Sequence, residues 1–165
     1  MGYNNGQKNR QQNREKQKPV REFRKDPAAK VHLGKRIDDL SFAEVAEEVM
    51  KTKNEKNNKA FAKSITANQI RKLHSYIIPI YEKVRRYQDE VLPEELRSDL
   101  QYLKIRFAYE FGRENGLKNL NSADIGTGET MLDLIDKIGD SREKCLLFCR
   151  YMESLVAFHK LYGDK

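Results

Sequence analysis

The sequence predicts an all-α protein, a compact bundle of about five helices behind a disordered basic N-terminal tail. Three observations carry this. Apolar residues recur at three- and four-residue steps over several long stretches, the period of a helix with one buried face. Helix starts carry capping sequences, and no stretch alternates apolar and polar residues as a half-buried strand does. Residues 1–36 are rich in Asn, Gln, Lys and Arg, with few bulky apolar side chains (Tyr3, Val20, Phe23, Val31, Leu33). Such a segment buries too little surface to offset its chain entropy. The chain thus divides into a tail (1–36), a short helix with a polar linker (37–60) and a helical-bundle domain (61–165).

The first helix opens at Ser41-Phe42-Ala43-Glu44, which reads as a capping box, and Phe42, Val45 and Val49 give it a short apolar stripe. The polar run 51–60 ends it. Thr66-Ala67-Asn68-Gln69 is a second capping box. It opens a long helix to about Tyr87 whose Ile70, Leu73, Ile77, Ile80, Tyr81 and Val84 share one face. Pro79 inside it predicts a kink. Pro93 suits the first turn of the next helix, with Glu94 and Glu95 beside its N-terminal dipole.

That helix carries a main stripe of Leu96, Leu100, Leu103, Phe107 and Phe111 and a second apolar side of Tyr102, Ile105 and Tyr109. Two apolar sides place it centrally, or leave one side for a partner. Asn115-Gly116 is expected to stop it, and residues 115–128 read as a loop. Met131, Leu134, Ile135 and Ile138 mark a short helix ended by Gly139. Asp140 or Ser141 caps the last helix, whose apolar residues cover about half its circumference. So wide a face needs several neighbours.

With 38% hydrophobic and 35% charged residues in 165, the chain can support one compact core. No stretch approaches the roughly 18 apolar residues of a membrane span, and no apolar signal region follows the basic N-terminus. Cys145 and Cys149, four apart on one helix, suit a reduced, cytoplasmic protein rather than a disulfide framework. The net charge of +7 is uneven: residues 1–36 hold eleven basic and three acidic groups, while the remaining residues come to −1. Basicity is therefore a property of the tail, which reads either as a solubilising segment or as a cationic arm for phosphates.

Catalytic and metal chemistry find no organised residues. Cys145 and Cys149 lack a second ligand pair, and His159 lies too far along the helix to join them. Gly126-Thr127-Gly128 lacks the strand and lysine of a phosphate loop. Asp133 and Asp136 could chelate a cation, but on a helix surface they read as a solvated acidic face. No cofactor and no enzymatic activity are expected.

The informative signal is the outer side of the Thr66–Tyr87 helix, where Arg71, Lys72, Lys83, Arg85 and Arg86 cluster with only Glu82 among them. Such a strip can follow a phosphate backbone. Arg106 and Arg113 on the next helix, and Arg142, Arg150 and Lys160 on the last, are interleaved with acids. They read equally well as local ion pairs worth about 0.3–0.5 kcal/mol each.

Three motifs in order resemble the small-subunit family of type III-A CRISPR (Csm) complexes. They are Thr66-Ala67-Asn68-Gln69-Ile70-Arg71-Lys72-Leu73; Leu100 to Tyr109 with Gly112-Arg113; and Ile138 to Lys144 followed by Phe148 to Gly163. The resemblance spans Thr66–Gly163. Residues 1–60 have no counterpart in it, and Leu117–Glu129 is glycine-rich where the family carries a helix-compatible run. It implies a non-catalytic helical bundle in the cytoplasm of a prokaryote, stacked into an inner filament beside the crRNA-bearing backbone subunits and the large subunit. The implied partners are crRNA, target RNA, those subunits and further copies of the chain, with a dimer as one form in isolation. The matched basic positions are Arg71, Lys72, Lys104, Arg106, Arg113, Arg142 and Arg150. Two other readings remain: a stand-alone RNA binder relying on its tail, and a purely structural adaptor.

Overall fold

A computed structural model describes residues 28–53, 57–122 and 128–163. Residues 1–27 of the expected tail and the Gly126-Thr127 turn lie outside them. The described residues form seven helices and one minimal sheet. Strands β1 (His32–Leu33) and β2 (Ile37–Asp38) pair antiparallel around Gly34, whose φ of +75° suits glycine. Strands of two residues each are too short to show an alternating pattern in the sequence. Composition groups residues 28–36 with the tail, yet Leu33 is fully buried. With buried Ile37 on β2, it anchors the hairpin in the core.

Helix α1 (Phe42–Lys51) starts where expected, but not through a capping box. The Ser41 hydroxyl instead donates to the Arg36 carbonyl and accepts from the Asp38 amide, closing the hairpin onto the helix. Val45, Ala46, Val49 and Met50 are buried. Directly after the expected polar linker comes an unforeseen turn of helix, α2 (Phe61–Ser64). At four residues, it is too short for periodicity to reveal.

Helix α3 (Ala67–Arg86) opens with the expected reciprocal box: the Gln69 amide donates to Thr66 Oγ1 and the Thr66 amide to Gln69 Oε1. It buries Ile70, Leu73, Ile77, Ile80 and Val84 and continues through Pro79. Helix α4 (Glu94–Arg113) buries Leu96, Leu100, Leu103, Phe107 and Phe111, the expected main stripe. Its second apolar side stays in solvent, with Tyr102, Ile105 and Tyr109 exposed by 62%, 64% and 63%.

The chain does not enter a loop at Asn115. A break at Glu114 is followed by helix α5 (Asn115–Asn121), which buries Leu117 and Leu120. Gly116 acts through close approach, since a Cβ there would lie 2.8 Å from the Ser64 carbonyl at the end of α2. Gly116→Ala is expected to lower the melting temperature, at a cost of about 1–3 kcal/mol from overpacking. An unchanged thermal melt would show that α2 and α5 can separate freely.

Helix α6 (Met131–Ile138) begins with a second complete box, Thr130 with Asp133. Helix α7 (Arg142–Tyr162) takes Ser141 as its cap, the hydroxyl accepting from the Lys144 amide. It is the hub of the fold: α1, α2, α3 and α6 all pack on it, α1 most extensively. Cys145, Leu147, Phe148, Cys149, Met152 and Leu155 are each at most 1% exposed, matching the several neighbours its wide face demands.

Candidate nucleic-acid interface on the α3–α4 seam

Helices α3 and α4 are joined by a short connection and lie against each other, so their outer faces make one surface. Its centre is Glu110, a carboxylate on α4 whose residue is only 1% exposed. A buried charge is costly unless partners surround it. Lys72 Nζ lies 2.8 Å from Glu110 Oε1, and the Tyr76 hydroxyl donates to the same oxygen at 3.0 Å. Arg113 donates to Oε2 at 3.0 Å. Burial works against the charged form, but hydrogen bonds from Lys72 and Tyr76 and the field of Arg113 outweigh it. They hold the carboxyl below its ordinary value. Reciprocally, the Glu110 hydrogen bond raises Lys72, and the Glu110 charge raises Arg113.

Two cations lie over aromatic rings at this centre. The Arg106 guanidinium is 5.2 Å from the Tyr76 ring centroid, and that of Arg113 is 5.6 Å from the Tyr109 ring. Such pairs hold a guanidinium flat while its N–H edge stays available. At the other end of the seam Lys83 reaches Glu95 and Asp99, both at 2.8 Å, and these carboxylates raise its pKa.

The strip on α3 is therefore not poor in acidic partners, as its own helix suggests. Lys72 and Lys83 are paired across the seam with α4, and Arg85 and Arg86 face Glu82 at 3.9 and 3.5 Å. Arg71 is exposed and makes no ion pair among the described residues.

Of the seven matched basic positions, the structure brings Lys72, Arg106 and Arg113 together around Glu110 and Tyr76, with Arg71 beside Lys72 in sequence. The other three lie apart. Lys104 points to the opposite side of α4 and pairs with Asp136 on α6 at 2.6 Å. Arg142 Nε donates to the Tyr87 carbonyl at 2.6 Å, pinning the α3–α4 connection to the start of α7. Arg150 is exposed on α7.

Tyr76 and the central role of Glu110 are additions that the structure makes to the sequence-predicted set. The spacings Lys72–Tyr76, Arg106–Glu110 and Glu110–Arg113 hold the signal, since four- and three-residue neighbours meet on a helix. The other chemical candidates resolve structurally. Asp133 caps α6 and Asp136 answers Lys104, so this pair is engaged rather than chelating. Cys145 and Cys149 are buried, and hydrogen bonding between them and burial push the Cys149 thiol up. His159 Nε2 is 2.7 Å from the Ile65 carbonyl. Among the described residues no group of three His, Cys, Asp or Glu could hold a metal ion, and no helix is long and apolar enough to cross a membrane.

Comparison with known proteins agrees with the motif resemblance and extends it. A protein named CRISPR system Cms protein Csm2 from Enterococcus italicus is 34% identical over 144 residues, 82% of this chain and 98% of its own length. Its namesake from Streptococcus thermophilus is 40% identical over 102 residues, 61% of this chain and 75% of its own. That from Mycobacterium tuberculosis is 35% identical over 101 residues, 61% and 77% respectively. The Csm2 Type III-A family model matches residues 43–165, so the family's reach begins at α1 and not at the capping box of α3. The three sequence motifs, the helical fold and a match over most of its length show that the chain belongs to the Csm2 Type III-A family.

Proposed function

We propose that the chain is the non-catalytic small subunit of a type III-A CRISPR RNA-guided complex, contacting crRNA–target RNA through the α3–α4 seam. The observation that carries this is the cluster of Lys72, Arg106 and Arg113 around buried Glu110, flanked by exposed Arg71. Cations held by one carboxylate and two rings are pre-ordered, so less side-chain entropy is lost when a phosphate arrives. The contact is electrostatic and shape-based: guanidinium and ammonium groups meet phosphates and 2′-hydroxyls, while guide pairing supplies sequence specificity. Affinity of a single copy is weak and salt-dependent, and repetition along an inner filament raises it by avidity. Ile105 and Tyr109, exposed beside the cluster, suit a neighbouring copy or backbone subunit. Lys104 and Arg142, engaged within the bundle, contribute less than the seam residues do, and Arg150 on α7 makes at most a separate contact.

Co-purification with crRNA and the other Csm subunits is the first expected result. Within the assembled complex, Arg71→Ala/Lys72→Ala is expected to weaken target RNA retention. The salt slope should fall by about 1 for each phosphate that is no longer neutralised. Unchanged retention with an intact fold would remove both residues from the interface. Deleting residues 1–27, which spares the Leu33 hairpin, separates the tail-based alternative, since loss of most RNA affinity on that deletion would move the site off the bundle.

A further inference from the structure

Between its two ion-paired ends the α3–α4 seam opens into a cleft of about 430 Å³. This is within the size range of small-ligand pockets, roughly 300–1,000 Å³. Buried Ile80 and Leu103 line it. Tyr76 and Pro79 on α3 and Tyr102 on α4 line it as well, together with the cations Arg106 and Lys83 and the carboxylate of Asp99. Tyr102 is 62% exposed and makes no hydrogen bond among the described residues, so its ring is available.

We propose that this cleft receives an unstacked nucleotide of single-stranded RNA, the base lying against Tyr102 and a flanking phosphate meeting Arg106. This rests on the reading that the seam faces RNA, and it adds a base contact to what is otherwise a backbone surface. The chemistry points to a nucleotide on two grounds. Aromatic and proline surfaces beside an apolar floor fit a flat π-system, and stacking on such surfaces tolerates any base. Arg106, a cation with no carboxylate partner among the described residues, calls for an anion next to that flat group, which a nucleotide supplies and an apolar protein side chain does not. Lys83 already has Glu95 and Asp99. Arg106 lies over Tyr76 and makes no ion pair among the described residues, so it is the principal phosphate partner. A paired base cannot enter, because in an A-form duplex its faces are covered by its neighbours.

The test uses the full chain, with a labelled single-stranded oligoadenylate and an RNA duplex of equal length, read by fluorescence anisotropy at low salt. Tyr102→Leu is expected to weaken single-strand binding roughly ten-fold, the effect of losing one stacked base. Duplex binding is expected to stay unchanged, and Tyr102→Phe to keep full affinity because the ring and not the hydroxyl acts. Equal single-strand affinity for wild type and Tyr102→Leu would overturn the proposal, as would parallel loss on both probes. If Tyr102→Leu has no effect while Arg71→Ala/Lys72→Ala weakens both probes, the stacking site falls and the backbone reading stands. If wild type binds neither probe, both fall. If Tyr102→Leu changes only the sedimentation of the free chain, the cleft is a protein contact and the proposal fails.

Discussion

Phe107→Ala is expected to lower the unfolding free energy by about 3–5 kcal/mol, the usual cost of removing a buried phenylalanine ring. Phe107 is fully buried. Its ring meets Phe111 edge-on with centroids 5.6 Å apart, and Phe148 of α7 at 6.4 Å. It thus connects the helix bearing the seam to the hub of the bundle. Truncation leaves a cavity between α4 and α7 that packed helices can only partly close, and the edge-to-face pairing disappears as well. In a domain of this size the melting temperature would fall by roughly 10 °C or more. Urea unfolding checks the result. The midpoint moves and the slope is kept, because the surface exposed on unfolding changes little. Phe107→Leu, which restores most of the volume, is expected to cost appreciably less. A Phe107→Ala midpoint within error of wild type would mean that α4 is not held to α7 through this ring.

The second large effect is tied to acidity. Glu110→Gln keeps the side-chain shape but removes the charge that Lys72, Tyr76 and Arg113 converge on. Hydrogen bonds to charged groups contribute about 1.5–3 kcal/mol, so the variant should be destabilised on that scale at neutral pH. The Glu110 carboxyl titrates below its ordinary value of 4.5 in the folded protein. Its contribution is therefore complete above about pH 4.5 and is lost as pH falls through the folded value. Melts from pH 7 to pH 3 should show the wild type losing its advantage over Glu110→Gln in that acidic window. A gap that stays constant down to pH 3 would show that the carboxylate charge is not what holds Lys72 and Arg113. The variant also loosens both cations, so RNA retention should fall even where the fold is intact.

The long helices and their faces are legible in the sequence because each is set by residues three and four apart in the chain. The buried sets of α3 and α4, the Thr66–Gln69 box and the free side of α4 are all properties of one segment. What is not legible depends on partners far away in sequence. Ser41 sits before an apolar stripe with Glu44 three residues on, yet its hydroxyl is claimed by Arg36 and Asp38 of the hairpin. Helices α2 and α5 are shorter than two turns and owe their existence to packing. The basic strip on α3 looks short of acids because its counter-charges, Glu110, Asp99 and Glu95, belong to α4. Register between two helices decides that, and no single-helix pattern contains it. For the same reason Lys104 matches the motif yet points away from the seam, Arg142 is spent on the Tyr87 carbonyl of the α3–α4 connection, and Tyr76 acquires its role only when α4 brings Arg106 over its ring.

The packing of α1 along α7 has a consequence for how the protein is made. Ninety residues separate the end of α1 at Lys51 from the start of α7 at Arg142. At synthesis rates of about 5–20 residues per second, α1 emerges roughly 5–18 s before its partner exists. During that interval only the hairpin and α2 are at hand to cover Val45, Val49 and Met50, and an amphipathic helix of ten residues is barely stable alone. Closure must therefore come late, as α7 arrives and joins both ends of the fold at once. Contacts so distant in sequence slow folding, and the waiting apolar stripe is a natural target for chaperones or for aggregation.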